Sequence, residues 1–276
     1  MTQLQDWPLR YGVILGKRFT EKQKIAFLRS LTKDFQELGY AVDTTKSYQR
    51  LGKNERQAYY NLYAGDFKKA KQIIAVSYET PAKTFGLIKK RPFHLPTASQ
   101  QFIKILPAIF LTVIAAILFW QLVPSIQAHG FVSVWGVLAL ILLAGVFFFI
   151  ARYRSGIPNR VNFSQNSAAI LAALSLAKKD PALAFVFFDG GATNGYGLQL
   201  LEDYLKGKKK VVFLEGLTDI ELTETKAGKP YPETARYFTT KGAETSSLKL
   251  AGTRKDAAFD EALLEKHVET LLTYLR

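Results

Sequence analysis

Hydrolytic and redox sites are built from nucleophiles, bases and metal ligands, and this chain of 276 residues is sparing with all three. It has no Cys, which excludes disulfide scaffolds, zinc fingers, iron–sulfur centres and thiol nucleophiles. Its His residues are His94, His129 and His267, so an imidazole-rich metal site would have to draw on three separate regions. The glycine-rich run Gly190-Gly191-Ala192-Thr193-Asn194-Gly195-Tyr196-Gly197 lies between a strand-like and a helix-like segment, where phosphate loops occur. It lacks the Gly-Lys-Ser/Thr ending and the dinucleotide spacing, so it reads as a structural turn. Asp189 then caps or turns the chain as it leaves the strand before it.

The elements that must position these residues fall into two unlike classes. All 37 Lys and Arg and all 23 Asp and Glu lie outside residues 105–151. Within that stretch, Ile105–Val123 and Phe131–Ala151 each approach the roughly 20 apolar residues that a membrane-crossing helix needs. Pro124-Ser-Ile-Gln-Ala-His-Gly130 reads as the turn between them, with Trp120 and Trp135 near the turn end as interfacial aromatics. We expect a transmembrane hairpin. Lys89, Lys90, Arg91 and Lys104 precede it, Arg152, Arg154 and Arg160 follow it, and the turn has no Lys or Arg. The positive-inside rule therefore expects a multi-pass integral membrane protein with both termini cytoplasmic and the basic collar against anionic headgroups. The net charge of +14 concentrates at these membrane ends rather than among exposed aromatics, which argues against nucleic acid as the partner. The N-terminus has no apolar signal core, so no cleaved leader is expected.

In the flanks, Thr20-Glu-Lys-Gln23 spells a capping box opening a helix whose apolar face carries Phe27, Leu28, Leu31, Phe35 and Leu38 and which stops at Gly39. Strand-like runs follow at Tyr59–Tyr63 and Gln72–Tyr78. After the hairpin come a small-residue helix over Ser167–Ala177, a strand at Ala184–Phe188, a helix near Leu198–Leu205, a strand at Lys210–Leu214 and a last helix around Asp260–Leu275. Alternation of helices with fully apolar strands predicts an α/β fold with a sheet covered on both faces. Neither flank supplies enough strands alone. We expect residues 1–104 and 152–276 to be two halves of one cytoplasmic domain, interrupted by residues 105–151, with spans at 105–123 and 131–151.

These elements carry a resemblance. Leu38-Gly39-Tyr40, Asn61-Leu62-Tyr63-Ala64-Gly65 and Ile73-Ile74-Ala75-Val76-Ser77-Tyr78-Glu79-Thr80 resemble, in order, the zinc-dependent aminopeptidases of clan MH, which include leucyl aminopeptidases, glutamate carboxypeptidase and glutaminyl cyclases. In that family the last run reads as a strand ending in His-Tyr-Asp-Thr. Gln165-Asn166-Ser167-Ala168-Ala169-Ile170 is similar to the family's Asp-Asn-Ala-Ser-Gly-Val, and Phe188-Asp189-Gly190-Gly191-Ala192 to its Phe-Asp-Gly-Glu-Glu. Val211-Val212-Phe213-Leu214-Glu215 resembles its later strand ending in Asp. The resemblance implies a mixed central sheet covered by helices, with the hairpin as an insertion.

It also implies a site that has lost its chemistry. In the family two zinc ions share a bridging carboxylate, and a neighbouring Glu deprotonates the metal-bound water. Against that pattern Ser77 replaces the first His ligand, Gln165 the bridging Asp, and Gly191 and Ala192 the general base and the adjacent Glu ligand. Glu79 and Glu215 stay acidic where the family has Asp. No His lies where the last ligand should precede the final helix, and His267 reads as a packed residue. The expected cofactor is therefore none, zinc having been lost, unless Glu79, Asp189 and Glu215 converge on an oxygen-liking ion such as Mg²⁺. Glu79 and Glu215 read otherwise as vestiges or partners of nearby Lys. Asn166, Thr193 and Asn194 could hydrogen-bond a peptide end. The expectation is a membrane-anchored, non-catalytic peptidase-like protein that binds a peptide or protein partner. Two alternatives stand beside it: an active metallo-aminopeptidase or other hydrolase with a diverged site, and a structural subunit of a membrane complex whose Ala115, Ala116, Ala139 and Ala144 admit close helix packing.

Overall fold

The computed structural model describes residues 6–53, 55–82, 91–153, 156–205, 210–240 and 259–276. Lys89, Lys90 and Arg154 lie outside them. The chain divides into two compact units: residues 1–96 with 158–276, and residues 97–157.

The first unit is α/β. After a wide, π-type helical turn at Pro8–Ile14, helix α1 (Glu21–Glu37) begins at the capping box read from the sequence: the Gln23 N–H donates to Thr20 Oγ1, and Thr20 N–H donates back to Gln23 Oε1. It ends at Gly39, whose φ of +87° suits glycine. Strands β1 (Val42–Arg50), β2 (Arg56–Ala64) and β3 (Ile73–Ser77) precede the insertion. A second wide turn (Phe163–Ser167) follows it and leads into α4 (Ala168–Lys179), then β4 (Ala184–Phe188), α5 (Tyr196–Leu205), β5 (Val211–Leu214), β6 (Leu222–Thr225), β7 (Arg236–Thr240) and α6 (Glu261–Leu275). Helices α2 and α3 belong to the second unit.

The seven strands form one mixed sheet in the order β1-β2-β4-β3-β5-β7-β6. Its centre is parallel: β3 lies between β4 and β5, and β7 runs parallel to β5. β2 joins β4 antiparallel, and β1 and β6 are antiparallel edges. β3 comes from before the insertion and both of its neighbours from after it, so the sheet cannot be cut at the hairpin without unpairing its middle. Strands β3, β4 and β5 are apolar at every position but Ser77 because both faces are covered. Ile74, Val76, Phe185, Phe187, Val212 and Leu214 face a core shared with α1, α4 and α6. Ile73, Ala75, Val186, Phe188, Val211 and Phe213 face a second core with α5, Phe93, Tyr231 and Tyr237.

The second unit consists of α2 (Ala98–His129) and α3 (Val134–Tyr153), which pack against each other with Ala108 and Ala139 buried. Both helices are long and apolar enough to cross a membrane. Only 6% of one apolar window and 11% of the other is buried, which separates them from core helices of a soluble protein. The turn differs from the reading of the sequence. Pro124 lies inside α2, which continues to His129, and the reversal occupies Gly130–Ser133. Helix termination falls to Gly130, at φ +78°, and Ser133, whose Oγ accepts from Gly136 N–H, opens α3. Proline removes one donor, but an apolar helix has no alternative partner for the remaining groups and keeps its ladder around it.

Replacing residues 101–153 by a flexible Gly/Ser linker should leave a sheet that forms only as a whole. Denaturant unfolding of that protein is expected to show one transition by both circular dichroism and fluorescence; two separate transitions would mean that the halves fold independently.

Candidate functional site

In open α/β sheets the carboxyl ends of the parallel strands face the functional crevice. Here those ends deliver Ser77-Tyr78-Glu79 from β3, Asp189 from β4 and Glu215 from β5. The structure brings Glu79 and Asp189 together around a group the motif reading passed over, the ammonium of Lys24 on α1. Lys24 Nζ lies 2.8 Å from Glu79 Oε1 and 2.6 Å from Asp189 Oδ1, and all three side chains are buried. Glu79 Oε2 accepts from the Ala192 N–H at 3.1 Å and from Thr193 Oγ1 at 2.9 Å. Asp189 accepts from the Gly190 N–H at 2.8 Å and the Tyr60 N–H at 3.4 Å. Burial alone would depress the Lys24 ammonium, but Glu79 and Asp189 outweigh it and hold it above the ordinary lysine value. Burial pushes the Asp189 carboxyl up to about 6, with Lys24 opposing and Glu79 reinforcing the shift.

A second buried cation ties the same ends to the turn before α4. Arg18 Nε donates to the Tyr78 carbonyl at 2.6 Å, Nη1 to the Tyr11 and Leu15 carbonyls, and Nη2 to Asn166 Oδ1 at 2.6 Å and Ser167 Oγ at 3.0 Å. Asn166 Nδ2 donates to the Glu79 carbonyl at 2.7 Å. Asn166 is therefore engaged at both ends of its amide. Thr193 is held by Glu79, and Asn194 Nδ2 donates to Gln49 Oε1 and Tyr59 Oη. The peptide-end contacts suggested for these three residues compete with bonds they already make.

The glycine loop is a turn closed on itself. The N–H groups of Thr193, Asn194 and Gly195 all point at the Gly190 carbonyl, and Tyr196 N–H at Asn194 Oδ1, which leaves no nest for phosphate. Gly191 is where the chain passes Ser77 most closely: a Cβ there would lie 2.1 Å from Ser77 Oγ. Gly197 faces the Asp189 carbonyl in the same way, at 2.2 Å.

The remaining positions fit a metal poorly. Gly191 and Ala192 offer no side-chain donor. Gln165 is buried, and its Oε1 has no partner among the described residues, a single neutral oxygen where a bridging carboxylate would be required. Glu215 Oε2 accepts from the Phe93 N–H at 2.7 Å, anchoring a segment whose Phe93 is buried in the second core at φ +54°. Glu79 and Asp189 converge on Lys24 Nζ while Glu215 binds the Phe93 N–H, so the three carboxylates do not gather as one group of ligands. Among the described residues no group of three or more His, Asp or Glu could hold a metal. His267 is buried, with Nε2 2.7 Å from the Asp219 carbonyl, and burial pulls its pKa down. His94 Nδ1 and His129 Nδ1 lie against the Pro92 and Ser125 carbonyls. Of the basic collar, Arg91, Arg152 and Arg160 are exposed.

Sequence comparison finds no matching family model and no matching curated protein. Comparison of structures does find relatives of the fold. The chain is similar to the glutaminyl cyclase of Porphyromonas gingivalis (TM-score 0.58, 11% identity, 99% of this chain and 95% of that one). It is similar to the Tannerella forsythia glutaminyl cyclase (0.58, 10%, 99% and 96%) and to a Zn-dependent exopeptidase from Parabacteroides distasonis (0.55, 11%, 99% and 94%). The mixed sheet with its covering helices is the fold of the glutaminyl cyclases and zinc exopeptidases.

Lys24→Met leaves two buried carboxyls without their cation and should cost about 3–5 kcal/mol at neutral pH. The deficit should shrink towards acid. With the cation gone, the Asp189 carboxyl, already raised by burial, stays protonated in the folded chain at pH values where it ionises once unfolded, so folded protein binds more protons and stability rises as pH falls from about 7 to about 5. Melting temperatures of both proteins across that range decide it; an equal deficit at both ends would contradict the assignment.

Proposed function

We propose that this chain is a membrane-anchored protein of the glutaminyl cyclase and aminopeptidase fold that has given up catalysis and binds a peptide or protein partner. The observation that carries the reading is Lys24: an ammonium, not a metal, neutralises Glu79 and Asp189. Ser77, Gln165, Gly191 and Ala192 are then vestigial positions of a two-zinc site, and Asn166, Glu79 and Glu215 survive as scaffolding. Glu79 supports this role with its contacts to α1, the 190–197 loop and the turn before α4.

Anchoring rests on α2 and α3. The distribution of Lys and Arg supports an orientation with both termini in the cytoplasm and the basic residues that flank the hairpin near anionic headgroups. Lipid and a protein or peptide, rather than nucleic acid, are the partners of this reading.

The test is metal content beside activity. Full-length protein in mild detergent should carry substoichiometric zinc, and should neither release N-terminal residues from peptides nor cyclise N-terminal glutamine above a blank. About two zinc ions per chain, with turnover abolished by a chelator, would refute the proposal.

A further inference from the structure

The wide turn at Pro8–Ile14 carries its apolar side chains on the wrong side for a soluble surface. Leu15 N–H donates to the Arg10 carbonyl five residues back, at 2.7 Å, so positions four and five apart share a face. One face is packed: Tyr11 lies edge-on to Phe27 and Phe163 lies against Gly12, while Trp7 is buried. The opposite face presents Leu9, Val13 and Ile14, exposed to 54%, 41% and 66%. Single exposed apolar residues are ordinary, but three clustered on one short element mark a contact surface.

Its position in the first unit says which surface. Gly16, two residues beyond Ile14, packs against the Arg160 backbone: a Cβ on Gly16 would lie 2.9 Å from the Arg160 carbonyl oxygen. Thr80 is bound there too, its Oγ1 donating to the Gly16 carbonyl, and the chain closes beside it with the Ala82–Pro158 bridge. The chain therefore re-enters the α/β unit from α3 beside the apolar turn. Tyr153, the last residue of α3, is seven residues before Arg160, a tether of at most about 25 Å when fully extended. Arg160 is exposed there, and the half-buried Lys17 follows Ile14 by three residues. Apolar side chains with cations nearby suit the boundary between headgroups and acyl chains.

We infer that Leu9, Val13 and Ile14 form a third membrane contact, dipping into the interfacial layer of an anionic bilayer. The contact holds the α/β unit to a bilayer surface. This rests on the membrane reading of α2 and α3.

The absence of cysteine makes the test clean. Single variants Val13→Cys and Ile14→Cys of the full chain are labelled with an environment-sensitive fluorophore and reconstituted in vesicles of equal parts phosphatidylglycerol and phosphatidylcholine. Ile117→Cys in α2 and Tyr48→Cys on β1, both exposed, serve as references for membrane and water. The inference expects blue-shifted emission at Val13 and Ile14, lost to headgroup-proximal doxyl lipid, while Tyr48→Cys is unaffected. Water-like emission there with Ile117→Cys quenched would overturn the inference and leave the hairpin standing. Blue-shifted emission that doxyl lipid does not touch would mean that protein covers the patch, and would overturn it equally. If Ile117→Cys also reports water, the membrane reading itself fails.

Discussion

A charge buried without a partner costs several kcal/mol, and the carboxyl ends of the central strands are organised around avoiding that cost. Glu79 and Asp189 stand at the ends of two adjacent parallel strands, where neither can reach bulk water. Lys24 resolves the conflict by placing one ammonium between them. Everything near it follows. The glycine loop folds inward so that Ala192 and Thr193 complete the Glu79 shell, and that inward path brings Gly191 against Ser77 with no room for a side chain. A side chain at position 191 could be accommodated only by moving the loop that satisfies Glu79. The cation and a glycine at position 191 are thus mutually consistent features of one packing arrangement.

Arg18 plays the complementary part for the backbone. Its guanidinium spends its donors on the carbonyls of Tyr11, Leu15 and Tyr78 and on Asn166 and Ser167. It thereby joins the N-terminal turn, the end of β3 and the turn before α4. The last of these lies beyond an insertion of some sixty residues, and a rigid fork of donors suits such a junction better than a flexible ammonium would.

Much of the fold was legible in the sequence because its signals are strong ones. The capping box at Thr20, the apolar runs at Ile73–Ser77 and Ala184–Phe188, and the charge-free stretch all obey simple periodicity or composition. β1 was not legible: Val42-Asp-Thr-Thr-Lys-Ser-Tyr-Gln-Arg50 is a polar edge strand, whose pairing to β2 replaces the apolar alternation that would announce it. β6 is a short, polar edge strand, and β7, buried between β5 and β6, carries Arg236, Thr239 and Thr240 in place of an apolar run. The turn at Pro124 was misplaced because proline punctuates soluble helices more strictly than apolar ones. At the site, Glu79 and Asp189 were in view but their partner was not. Lys24 lies 55 residues from one and 165 from the other. Its signal was available: it shares the stripe of Leu28, Leu31 and Phe35 on α1, and a lysine on a core-facing stripe calls for a buried acid.

The account stands or falls on the charge of one side chain. Nitrogen-detected magnetic resonance of ¹⁵N-lysine-labelled protein, with Lys24→Met to assign the signal, reads the Lys24 Nζ directly as pH is raised. The ion pair predicts a shielded ammonium that keeps its proton after exposed lysines, near pH 10.4, have lost theirs. A Lys24 resonance that titrates with or before those lysines would contradict it, and would return Glu79 and Asp189 to the pool of groups free to hold something else.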